Sequence, residues 1–235
     1  MRTRTLTDWA DLLTHTAGQA GHELVGMRTQ PEADRIAWIN AYRDHYQHRR
    51  STDGPVLAHV LKVSQSVDQS GAASVTVWEA LAANNENLIS RAVVDVCDLA
   101  LREKPLTQGF DTDPIEQWTE RELAVLHAVT TIAIQRRDES VLARLYRAAC
   151  WHVREIQPDN ATNIPWACHT FAYASCVAQQ MKNEEMTTTA AMHVETILHN
   201  AVVSSMDAHG LIDHRAAALL IDAAESLHML SASVR

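Results

Sequence analysis

Two histidines, His152 and His169, flank the most polar turn of the chain, in AACWHVREIQPDNATNIPWACHTFAYAS (148–175). Imidazole titrates near neutrality, so each can give or take a proton. Pro158 ends the first helical pattern, because the residue before a proline is pushed out of the helical region. Asn163 is a suitable cap for the next helix, with Pro165 tolerated in its first turn. The ends of an antiparallel hairpin meet, so His152 and His169 are expected to converge there as acid–base candidates. Asp159, Asn160 and Asn163 would add polar groups, while Trp151 and Trp166 would add flat walls. That set suits a small polar or carbohydrate-like ligand. The same Pro, Asp and Asn residues also serve as stop, turn and restart for two helices. His127 lies inside an apolar helical run, needs a partner when buried, and is a third imidazole that could join the pair.

Other clusters have metal-ligand residue types. Asp207, His209, Asp213 and His214 crowd into SMDAHGLIDHRA, where mixed imidazole and carboxylate ligands could hold a divalent ion. Asp213 and His209 also fit as helix N-cap and C-terminal cation. Carboxylate-bridged di-metal bundles use Glu-x-x-His on two helices. Glu225 with His228 has that spacing, whereas Glu195 with His199 is one residue longer. Asp44, His45 and His48 share a helix end, and a solvated helix terminus explains them better than a metal site does. These are weak metal candidates, and no cofactor motif is evident: the chain has no GxGxxG, Walker loop, GxSxG elbow or HExxH.

The elements that must position these residues are helical. Gly (7), Pro (6) and aromatics (5%) are sparse, while Ala, Leu, Val, Glu, Gln and Arg fill long stretches. This composition opposes a sandwich or barrel, which would need many turns. The spacing predicts helices near 6–16, 32–48, 55–68, 74–83 and 86–103, although SVTVWEAL has a strand-like start. Thr119 and Glu122 have capping-box spacing and predict a buried helix over 119–137. Asp138 turns the chain into a helix that runs to Pro158, Asn163 opens another, and a longer one spans about 187–207. Gly210 supplies a stop, and Asp213 opens the last helix, to about Leu230. About ten helices in antiparallel hairpins follow, either α/α-toroid-like or an irregular bundle. Residues 1–235 read as a single helical domain, with the best internal boundary at 103–117.

The formal net charge of −9 makes the chain a poor partner for nucleic acid. Arg43, His48, Arg49 and Arg50 form a basic spot better suited to a helix C-terminus. No apolar run reaches membrane-span length, and the opening MRTRTLTDWADLL lacks the apolar core of a signal peptide. Cys97, Cys150, Cys168 and Cys176 form no CxxC pair, which suggests a reduced, cytoplasmic protein. The sequence therefore suggests a ligand-binding or protein-interaction scaffold whose partner is a small polar ligand or another protein. The alternatives are an enzyme using His152 and His169 on a small polar substrate, and a metal-dependent helical enzyme. Oligomeric state, cofactor and substrate are not encoded in any pattern found.

Overall fold

The computed structural model describes residues 4–66, 76–97, 103–156, 163–207 and 209–233. Among them the fold is all-α, with ten helices and no β-strand. The helices are α1 (Leu6–Met27), α2 (Glu32–Ala41), α3 (Asp53–Val60), α4 (Val77–Ala83) and α5 (Glu86–Val96). They continue with α6 (Ile115–Arg136), α7 (Glu139–Glu155), α8 (Cys168–Gln180), α9 (Glu184–Ser205) and α10 (His214–Ser233). Helices α6 with α7 and α8 with α9 form antiparallel hairpins, and α1 lies along α10. Helix α10 is central, touching α1, α3, α6 and α8.

Burial explains this arrangement. Helix α10 buries every residue from Arg215 to Ala224, and α6 buries an unbroken run from Leu126 to Ile134. A helix enclosed on all sides must lie inside the fold. The close approach of α1 to α10 depends on small residues. A Cβ on Gly21 would lie 3.2 Å from the Ile221 side chain and 2.7 Å from Ala17 Cβ. Gly18 breaks α1 into two segments at φ 54°, ψ −142°, a backbone conformation open essentially to glycine alone. Thus α1 extends beyond the expected 6–16 by turning at Gly18 and continuing along α10.

Several other element boundaries differ from those expected. Helix α6 begins four residues before Thr119, after Pro114; Thr119 and Glu122 are fully buried interior residues and form no capping box. The actual capping boxes are Thr5 with Asp8 at α1 and Thr76 with Glu79 at α4, so VWEAL is helical. Helix α2 stops at Ala41 instead of reaching residue 48. The basic spot serves its C-terminus: Arg49 donates to the Ile39 and Asn40 carbonyls, and Arg43 to those of Asn40 and Tyr42. Asn163 does not cap α8, which starts after Ala167 in a left-handed conformation. Asn183 caps α9 instead, moving its start to Glu184. Asp213 does open α10, accepting the Arg215 backbone N–H.

The segment after Glu103, where an internal boundary was expected, is fastened to the helices that follow. Glu122 accepts the Leu106 and Thr107 backbone N–H groups at 2.7 and 2.6 Å. Arg144 donates to the Lys104 and Pro105 carbonyls, and Phe110 packs edge-on against Trp118 and Trp151. Helices from both sides of this segment are also in contact, α3 with α10 and α4 with α6.

Candidate functional site

A fully buried aspartate in the middle of α10 organises the centre of the fold. Asp222 is surrounded by three hydrogen-bond donors from two other helices. His59 of α3 lies 3.0 Å from Oδ1, while His127 and Thr131 of α6 lie 3.2 and 2.7 Å from Oδ2. A carboxylate without water requires such donors, since burying an unpaired charge costs several kcal/mol. Burial pushes the Asp222 carboxyl up, but the His59 charge and the hydrogen bonds from His127 and His59 outweigh it. The group is held well below the usual carboxylate range.

The hydrogen bonds determine the protonation of the surrounding rings. His127 Nδ1 accepts the Ala167 backbone N–H at 3.0 Å, so that nitrogen carries a lone pair. The proton is therefore on Nε2, facing Asp222, and the ring is neutral. Burial lowers the His127 pKa despite the carboxylate, in agreement with this tautomer. Thr131 has one hydroxyl proton and gives it to Asp222, an acceptor only. It must then accept from His169 Nε2, 3.2 Å away. His169 is left with a buried Nδ1 lone pair that has no hydrogen-bond partner among the described residues. Burial, then the neighbouring His127, hold its pKa well below the ordinary imidazole value. The His127 and His169 rings are 4.3 Å apart, and Trp78 and Trp166 both pack against His127. Trp78 is anchored through Nε1 to the Ala124 carbonyl.

A second buried carboxylate lies farther toward the start of α6. Glu122 Oε1 is 3.3 Å from His152 Nε2, in addition to its two backbone donors. Burial raises the Glu122 carboxyl, but His152 and the Leu106 and Thr107 bonds prevail and lower it. Trp118 stacks on His152 at 5.9 Å, and Phe171 meets it edge-on. Phe171 also packs on buried His193, whose pKa burial lowers to about 3.

His152 and His169 therefore belong to separate networks, with no hydrogen bond or ring contact between them; the expected convergence is not found. The hairpin ends approach, but the two rings meet α6 at different places, His152 at Trp118 and Glu122 and His169 at His127 and Thr131. His127 joins His169 as expected, without His152. Trp151 and Trp166 do not form two walls of one site. Trp151 is half-buried against Phe110 and lines an open cleft of about 860 Å³ with Lys104 and Arg144. Trp166 is in the core. Asn163 lines a pocket of about 280 Å³ with Arg50, Asp213 and Arg215. Asp159 and Asn160 lie outside the described residues.

The proposed metal ligands have other partners. Glu225 binds Arg28 through both oxygens, Glu195 pairs with Arg4, and His214 donates toward Glu23. Asp207 turns its own loop by accepting the His209 and Leu211 amides, and Asp213 accepts the Tyr42 hydroxyl at 2.6 Å. His199, His209 and His228 are exposed. Asp44 is used within its own loop, accepting the Tyr46 and His48 amides, while His45 meets the Ser205 carbonyl. Among the described residues, no group of three or more His, Cys, Asp or Glu side chains is placed to hold a metal ion.

Of the three histidines around Asp222 and Thr131, His59 lines an outward-facing groove. Its side chain is 9% exposed. The groove measures about 320 Å³ and lies between α3, α4, α5 and α6, with Lys62, Asn84, Glu86, Gln135 and Arg136 around His59. His59, Asp222 and Thr131 were not singled out from sequence. Asp222 had a readable signal: an acid inside AALLIDAA, on a helix too apolar to be one-sided, must be buried and paired. His59, in VLAHVLKV, had no comparable signal. Comparisons with protein-family models, curated proteins and solved structures find no match for this chain.

Proposed function

We propose that the chain binds a small polar ligand in the groove floored by His59. The carrying observation is that the buried Asp222 network reaches this groove through His59. A buried carboxylate fixes the His59 ring, which saves a ligand the cost of orienting it. The groove volume matches the lower end of small-molecule sites, and its lining mixes apolar walls (Val63, Leu81, Ile89) with a few polar groups. In contrast, the exposed large apolar side chains Val94, Tyr46, Met181 and Val203 lie on different elements and offer no comparable built surface for a protein partner.

A mixed library of small polar compounds, screened by ligand-observed NMR, tests this proposal. Hits should shift the His59 ring resonances and be lost in Ser64→Trp, which fills the groove from its exposed lip. Hits that leave His59 unmoved and survive Ser64→Trp would place binding elsewhere. A catalytic form of the same reading has its own support in the His59–Asp222 contact. A carboxylate on Nε2 fixes the ring's orientation and leaves the opposite ring nitrogen as the one free to take a proton. In that case His59→Gln abolishes turnover of a bound compound while leaving its affinity within about threefold. If turnover persists in His59→Gln, His59 is not the acid–base group.

A further inference from the structure

We infer that the groove takes a small oxyanion, a carboxylate or phosphate group, held between Arg136 and Lys62 above His59; this rests on the groove being a ligand site. The chain as a whole has a net charge of −9, so a cationic groove is a local departure from its average. Arg136 and Lys62 both line it, with Glu86 as the one acidic lining residue. Arg136 is bound to that Glu86 carboxylate and also donates to the Glu86 backbone carbonyl at 3.3 Å. Lys62 makes no ion pair among the described residues, leaving one uncompensated cation.

The Glu86 contact is informative about ligand chemistry. Its side chain is 79% exposed, so packing does not hold it in place. It is a carboxylate supplied by the chain itself, on a guanidinium whose planar fork matches oxyanion geometry. A ligand carboxylate or phosphate can replace it at Arg136 and gain Lys62 as well, while Glu86 moves out into water. His59, Asn84 and Gln135 supply further polar groups for the rest of the ligand. A neutral polyol would have to leave the Arg136–Glu86 pair intact, and a cation would face Lys62.

The experiment is a titration of the intact chain at constant ionic strength, following the Arg136 and His59 side-chain resonances. The probes are inorganic phosphate and malonate, set against glycerol as a neutral compound and ethylenediamine as a cation. Phosphate or malonate should bind, with affinity falling about tenfold or more in Lys62→Gln and in Arg136→Gln. Glu86→Gln should instead strengthen binding, because the internal competitor is gone. That opposite sign separates ligand recognition from a merely structural ion pair, whose loss would not improve binding. If glycerol or ethylenediamine binds at His59 and the anions do not, the anion assignment is overturned while the groove remains a ligand site. If none of the four binds and the broader library also fails, the ligand-site reading itself falls. Weakened anion binding in Glu86→Gln would likewise refute displacement of Glu86.

Discussion

Removing the carboxylate of Asp222 should be among the most damaging single changes in this protein, and its cost can be worked from the three donors around it. In Asp222→Ala, His127 keeps an Nε2 proton in a fully buried site with no acceptor. An orphaned donor of that kind costs about 1–3 kcal/mol. Thr131 can turn its hydroxyl back toward its own helix, and His59 can recover water in the groove, so their losses are smaller. Adding the lost charge-assisted bonds and the small void, and subtracting the carboxylate's own burial cost, leaves about 3–5 kcal/mol of destabilisation. Asp222→Asn keeps a carbonyl oxygen for His127 and Thr131 and turns its amide toward His59, which answers by changing tautomer. Its cost should be only about 1–2 kcal/mol. Urea unfolding followed by circular dichroism measures both, and ring-nitrogen chemical shifts should place the wild-type His127 proton on Nε2. An Asp222→Ala cost below about 1 kcal/mol, or an Asn variant as unstable as Ala, would show that the network does not carry a buried charge.

Acid should weaken the fold before the usual carboxylate range is reached. His193 has a folded pKa lowered to about 3, against about 6.5 in an unfolded chain, and those of His127 and His169 are lowered as well. The unfolded state therefore binds more protons, so stability is full above about pH 6.5 and declines as pH falls toward the folded pKa values. Asp222 and Glu122, also lowered, add a further loss below about pH 4. Unfolding free energies measured from pH 8 downward should show the first decline, and His193→Phe should flatten it in proportion. A profile level down to pH 4 would contradict the neutral buried imidazoles. Gly18→Ala should lower stability by about 1–3 kcal/mol although nothing lies within 4 Å of the added Cβ, because the cost is in the backbone. Thermal unfolding of Gly18→Ala beside Gly26→Ala, where space is equally open and φ is ordinary, isolates that backbone term.

The helices were largely readable from the sequence, and the reasons are local. Periodic apolar residues, Asp138 as a cap and Asp213 as a start act within a few residues of one another. The errors also have local causes. Thr119 and Glu122 have capping-box spacing, but spacing carries no information about burial, and Glu122 serves a segment some fifteen residues earlier in the chain. The first helix was expected to end near residue 16, whereas Gly18 allows α1 to bend and continue along α10. Asn163 had the right residue type for a cap, and the chain used Ala167.

The candidate site was legible only in part. Sequence marked His127 and His169 as buried imidazoles in need of partners, and this much followed from polar groups placed in apolar helical runs. It also set the all-α class, by withholding Gly, Pro and strand patterns. Only the tertiary structure decided the rest. It separated His152, on Glu122, from His169, on Thr131, and brought His59 to an aspartate 163 residues away. Periodicity specifies which side of a helix faces inward, but not which neighbour it faces. That choice is made by packing α3 and α6 against α10, where a buried charge is stable only beside the three donors that those two helices provide.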